Sequence, residues 1–130
     1  MLKQLQIKNY ALIDELDIEF SNNLSVITGE TGAGKSILLG ALGLILGKRA
    51  DVQTLQNKEN KCIIEGLFQI GEYQLNSFFD ANDLDYEIET TLRREISSSG
   101  KSRAFINDTP VNLGLLKEIG SYLIDVHSQH

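Results

Sequence analysis

The run Gly29-Glu30-Thr31-Gly32-Ala33-Gly34-Lys35-Ser36 satisfies the pattern G-x-x-x-x-G-K-[ST], and what flanks it limits the chain to few architectures. Before it, Leu24-Ser25-Val26-Ile27-Thr28 reads as a short buried strand; after it, Ile37 to Leu46 reads as a helix apolar on almost every side. A strand, a glycine-rich loop and a helix in that order form a phosphate cradle. Gly29, Gly32 and Gly34 reach backbone conformations closed to residues with side chains, so successive N–H groups turn inward at the positive end of the helix. Lys35 supplies a point charge for the β- and γ-phosphates, and Ser36 offers a hydroxyl to Mg²⁺. The nucleotide-contacting segment is therefore Thr28, Gly29, Glu30, Thr31, Gly32, Ala33, Gly34, Lys35 and Ser36, with ATP and Mg²⁺ as the expected ligands.

The rest of the chain suits an α/β domain. Its 130 residues make one domain's worth, and 42% hydrophobic content is enough for a core. The one unbroken apolar stretch is the helix after Lys35, too short to cross a bilayer, and Lys3 to Asp17 lacks a signal peptide's apolar core, so a cytoplasmic, non-membrane protein is expected. Cys62 has no second cysteine to pair with and no metal-ligand spacing around it, which makes it a buried small hydrophobe. A net charge of −6 argues against broad nucleic-acid binding by the segment as a whole. Arg93, Arg94, Lys101 and Arg103 nevertheless gather around a Ser/Gly turn and form a candidate basic spot.

Leu2 to Lys8 and Ile13 to Phe20 alternate apolar with polar and predict two antiparallel strands leading into the phosphate-loop strand. The helix stops at Gly47, a polar loop runs from Lys48 to Lys61, and Cys62 to Ile70 is a strand. Glu72 to Phe79 reads as a short helix. Tyr86 to Ile96 and Lys101 to Ile106 form a hairpin about Ser97–Gly100, Asn107–Pro110 is the next turn, Leu113 to Ser121 is helical, and Tyr122–Val126 is a buried strand.

A P-loop hydrolase also needs an acid at the end of a buried strand downstream of its lysine, and usually a carboxylate or glutamine to orient water. Ala11-Leu12-Ile13-Asp14-Glu15 ends in acids but precedes the loop and alternates like an edge strand. Tyr122-Leu123-Ile124-Asp125 is better placed, yet Val126 follows where the water-orienting carboxylate is expected, so Asp125 is read as part of a core strand. Ser98-Ser99-Gly100-Lys101 lies between two strands and is read as a plain turn.

Several segments together resemble the N-terminal part of the bacterial RecN family of DNA repair proteins. They are Ile7–Asp14, Val26–Ile37, Gly47-Lys48-Arg49-Ala50-Asp51, Arg93-Arg94-Glu95-Ile96, Gly100–Asn107 and Leu123-Ile124-Asp125-Val126-His127-Ser128-Gln129-His130. The resemblance spans nearly the whole chain and departs from the family pattern at Ser128 and Asp108-Thr109. That family resembles the structural-maintenance-of-chromosomes (SMC) and Rad50 proteins, whose ABC-type ATPase head is split by a long coiled coil.

The resemblance implies that residues 1–130 are the N-terminal lobe of such a head, a P-loop NTPase lobe with a mixed β-sheet around the phosphate-loop helix. The signature motif and Asp-Glu pair would then lie in a C-terminal lobe beyond this chain, which explains the missing acid. It also implies that Gln129 is the glutamine that contacts Mg²⁺ and the attacking water, since its amide offers both an acceptor and a donor. Arg49 matches an arginine that in related heads lies near nucleotide or DNA, and Asn9 and Tyr10 stand where related heads approach the base or phosphates. His127 and His130 lack a third ligand and are structural. The implied partners are ATP, the C-terminal lobe, a second head in a homodimer and, for the whole protein, DNA at double-strand breaks in the cytoplasm, on the nucleoid. A transporter's nucleotide-binding subunit and a small metabolite kinase are the rival readings.

Overall fold

Alternating burial along the strands builds one sheet. The structure, a computed structural model, describes residues 1–20, 32–51 and 55–127. Strands β1 (Leu2–Tyr10), β2 (Ile13–Glu19), β3 (Cys62–Gln69), β4 (Glu89–Ile96), β5 (Ser102–Ile106) and β6 (Thr109–Val111) form a six-stranded sheet in the order β2-β1-β3-β4-β5-β6. Every described pairing is antiparallel. The expected phosphate-loop strand, Leu24–Thr28, lies outside the described residues. Strict alternation in β3 and β4 turns Cys62, Ile64 and Phe68, with Leu92 and Ile96, to the buried face. In β1 a register shift between Leu2 and Gln4 lets Leu2 and Leu5 both reach the core despite their odd spacing.

Helix α1 (Gly32–Ile45) carries the second half of the glycine-rich run into its first turn and packs on β3 and β4. Leu38, Ala41, Leu44 and Ile45 are buried, which bears out the expected apolar helix. Gly47 ends it with φ +102°, and a side chain there would strike the backbone of Lys117. Helix α3 (Leu113–His127) crosses at this point, and a Cβ at Gly120 would stand 2.6 Å from the carbonyl oxygen of Leu46. The two glycines bring the helices close enough for their backbones to touch.

Three local expectations are corrected. Tyr122–Val126 is helix rather than strand, because Leu116, Ile119 and Leu123 continue one buried stripe at helical spacing and no breaker separates Ser121 from Tyr122. Asp125 consequently does not end a buried strand. The span Glu72–Phe79 is split into a 3₁₀ turn (Gly71–Tyr73) and helix α2 (Asn76–Ala81), because Gln74 between them takes φ 56°. The turn expected at Asn107–Pro110 is confined to Asn107 and Asp108, with φ 49° and 66°. This is the primed two-residue geometry that suits a hairpin's twist. Thr109 and Pro110 belong to β6, an edge strand where proline's missing N–H is tolerated.

Cys62 is fully buried and free, as expected, and burial pushes its thiol up to about 11, against a smaller opposing pull from Arg94. A pKa raised by folding adds stability that is complete below the unfolded thiol's value and is lost as pH rises through the folded one. In urea titrations we therefore expect stability to decline between about pH 9 and 11, with up to ~2 kcal/mol of that decline absent from Cys62→Ala. Gly120→Ala should lower unfolding stability by about 1–3 kcal/mol, because its methyl group meets rigid backbone. Equal stability of Gly120→Ala and the parent would contradict the helix crossing described here.

Candidate functional site

The site grows from the start of α1. Gly32, Ala33, Gly34, Lys35 and Ser36 form the opening of this helix, where unpaired N–H groups and the helix dipole favour an anion. Ser36 is exposed, and no acidic residue occupies the first turn to compete for that positive end. A first turn without an acid, with a hydroxyl at hand, fits a Mg-nucleotide. Thr28, Gly29, Glu30, Thr31 and Gln129 lie outside the described residues, as does His130.

Arg49 stands beyond the opposite end of α1. The helix has 14 residues, so about 20 Å separates that end from its first turn, and the structure does not bring Arg49 to Gly32–Ser36. It instead lines an open groove with Leu46, Lys48, Leu113, Lys117 and Ser121, between the end of α1 and the start of α3.

Asn9 and Tyr10 have structural duties. Asn9, at φ 57°, is buried, and its amide holds the loop before β3: Nδ2 donates to the carbonyls of Asn57 (2.8 Å) and Asn60 (2.9 Å), while Oδ1 accepts from Asn57 N–H (2.7 Å). Tyr10 is buried against α1, where a side chain at Gly40 would overlap its hydroxyl; burial pushes its phenol pKa up. Neither side chain is free to meet a base. Among the described residues no three His, Cys, Asp or Glu side chains gather as a metal site.

The expected basic spot divides, because neighbouring residues in a strand face opposite ways. On the outer face Arg93 Nη1 bonds Asp108 (2.5 Å) and Glu65 (3.4 Å), Nε bonds Glu95 (3.2 Å), and its guanidinium lies 4.2 Å from the Phe105 ring centre. Lys61, Lys101 and Arg103 remain as cations around the hairpin, beside Glu95 and Ser97.

Arg94 points inward. It is 1% exposed, and among the described residues no carboxylate pairs with it. Nη1 instead donates to the carbonyls of Leu44 and Lys48, each at 2.7 Å, and Nε donates to Ser102 Oγ at 2.8 Å. A cation thus meets the negative end of this helix, sharing Leu44 O with the Gly47 N–H (3.3 Å) and capping Lys48 O just beyond it. Reading the four cations as one surface spot missed this. The signal was present, since Leu92, Arg94 and Ile96 alternate onto one face and a charge in that row must find buried partners.

Comparison with known proteins agrees with this geometry. The family model described as "AAA domain" matches residues 4–127. DNA repair protein RecN of Haemophilus influenzae is 44% identical over all of this chain, and that of Bacillus subtilis is 41% identical. The chain spans only about a quarter of their length, 24% and 23%. The fold is also that of an SMC ATPase studied for ATP-driven dimerization and DNA-stimulated activation (TM-score 0.71, 17% identity, 95% of this chain and 79% of that one). The SMC head domain from Thermotoga maritima (TM-score 0.62, 20% identity, 91% and 41% covered) and the ATP-bound recombination mediator RecF (TM-score 0.62, 17% identity, 89% and 30% covered) share it. The α/β fold is accordingly that of the P-loop ATPase heads of SMC proteins, RecN proteins are similar to the chain over all of its length, and the chain belongs to the AAA domain family.

Proposed function

We propose that this chain is the N-terminal ATP-binding lobe of a split ABC-type ATPase head acting in recombinational repair of DNA double-strand breaks. The observation that carries the reading is a complete phosphate-loop motif leading into a sheet-packed helix, in a chain aligned over its whole length with about a quarter of a RecN protein. Thr28 to Ser36 would hold the phosphates, with Lys35 on the β- and γ-oxygens and Ser36 and Gln129 toward Mg²⁺. The cation would bridge and neutralise phosphate oxygens when bound. Gln129 follows α3 closely in sequence.

Phosphoryl transfer depends on charges placed around the γ-phosphate from all sides, and one lobe supplies only part of them. A C-terminal lobe of the same polypeptide and a second head would complete the site, so ATP would join two heads and hydrolysis would release them. Arg49, remote from its own loop, would act across such an interface or toward DNA. No observation favours a transporter subunit or a metabolite kinase. The protein would work in the cytoplasm, on the nucleoid.

For the full-length polypeptide, Mg-ATP at about a hundred times its dissociation constant should stabilise the fold by ~2.7 kcal/mol, read as a raised unfolding midpoint, and Lys35→Ala should abolish the rise. An unchanged midpoint for the parent would contradict nucleotide binding. Turnover by residues 1–130 alone, lost in Lys35→Ala, would contradict the two-lobe mechanism.

A further inference from the structure

Helix α1 is held at the end remote from the nucleotide. Among the described residues, the side-chain hydrogen bonds that reach its backbone from outside come from Arg94, to Leu44 O and just beyond the helix to Lys48 O. The backbone contacts at Gly47 and Gly120 fall in the same place. Toward the first turn, Gly32–Ser36, the described outside contacts are packing, Tyr10 at Gly40 among them, so the end of this 14-residue helix that polar side-chain contacts fix is its last turn. With about 20 Å of lever, a tilt of roughly 5° about that point carries the first turn by roughly 2 Å. Phosphate-binding N–H groups tolerate only about 0.5 Å of displacement before their bonds fail.

We propose that Arg94 is a positioning residue for nucleotide: by fastening the C-terminal end of α1 to β4 and β5, it sets where the phosphate loop at the other end presents its N–H groups. Its geometry suits the task. Two bonds from one guanidinium nitrogen to carbonyls at Leu44 and Lys48 fix both position and rotation, and Ser102 Oγ on β5 orients the guanidinium from behind. A lysine would keep the charge but lose the fork. The role rests on the proposed ATP-binding function and adds to it the residue that aligns the site from afar.

The test measures Mg-ATP affinity in the folded full-length protein, separately from the unfolding midpoint without nucleotide. Arg94→Met should weaken affinity by about tenfold or more, as expected for a misplaced loop, and Arg94→Lys should recover part of it. Leu84→Ala, a core truncation in the segment after α2, should lower the midpoint with affinity unchanged. If Arg94→Met does not fold, Arg94→Lys and Ser102→Ala decide, each expected to weaken binding less. Parental affinity in the folded Arg94 variants, whatever their midpoints, would overturn the proposal and leave Arg94 as a stability element only. A parent that binds no Mg-ATP would overturn the function reading, and the positioning role with it.

Discussion

The phosphate-loop helix has two ends that call for opposite charges, and the fold is arranged to supply both. Its first turn offers N–H groups and no acid, while its last turn leaves carbonyls that need donors. Backbone N–H groups of Leu46, Gly47 and Lys48 supply some of those donors, and the charged one comes from Arg94, in the middle of the sheet. A guanidinium buried without a carboxylate is costly unless its hydrogens are engaged. Arg94 can occupy the buried row of β4 only with the end of α1 above it, and there it adds a charged donor to a carbonyl, Leu44 O, that the Gly47 N–H reaches only at 3.3 Å. Sheet and helix therefore specify each other's position through a polar contact that apolar packing alone would not direct.

Other contacts extend the same unit. Asn9 closes the loop before β3 onto the end of β1, and Tyr10 spans from β1 to α1. The glycines at 47 and 120 bring α3 against α1 without intervening side chains. The outer face carries a more solvated network in which Arg93 is shared among Glu65, Glu95 and Asp108; partly exposed pairs of this kind are each worth about 1 kcal/mol or less.

Much of this was legible from period and motif. Alternation and turn signals located β1 to β5, though not β6, and the glycine-rich run located the start of α1. What failed did so for physical reasons. Tyr122-Leu123-Ile124 is apolar enough to pass for a buried strand, and only the longer stripe from Leu116 through Ile119 to Leu123 reveals a helix. Arg93 and Arg94 are adjacent in sequence but project to opposite faces, so grouping them by proximity hid a buried anchor behind a surface charge. For Arg49, expected near nucleotide or DNA, the helix length adds only that it stands about 20 Å from the first turn of α1. The resemblance set Asn9 where related heads approach the base or phosphates, and the sequence carries no mark of the carbonyls of Asn57 and Asn60 that its amide meets after folding.

The account turns on nucleotide being held by the segment that opens α1. Hydrogen exchange of the full-length protein with and without Mg-ATP would resolve this amide by amide. We expect slowed exchange at Gly29 through Ser36 and in the segment containing Gln129, with the hairpin at Ser97–Gly100 unchanged. Saturating Mg-ATP that leaves Gly29–Ser36 exchanging at the nucleotide-free rate would contradict the central claim.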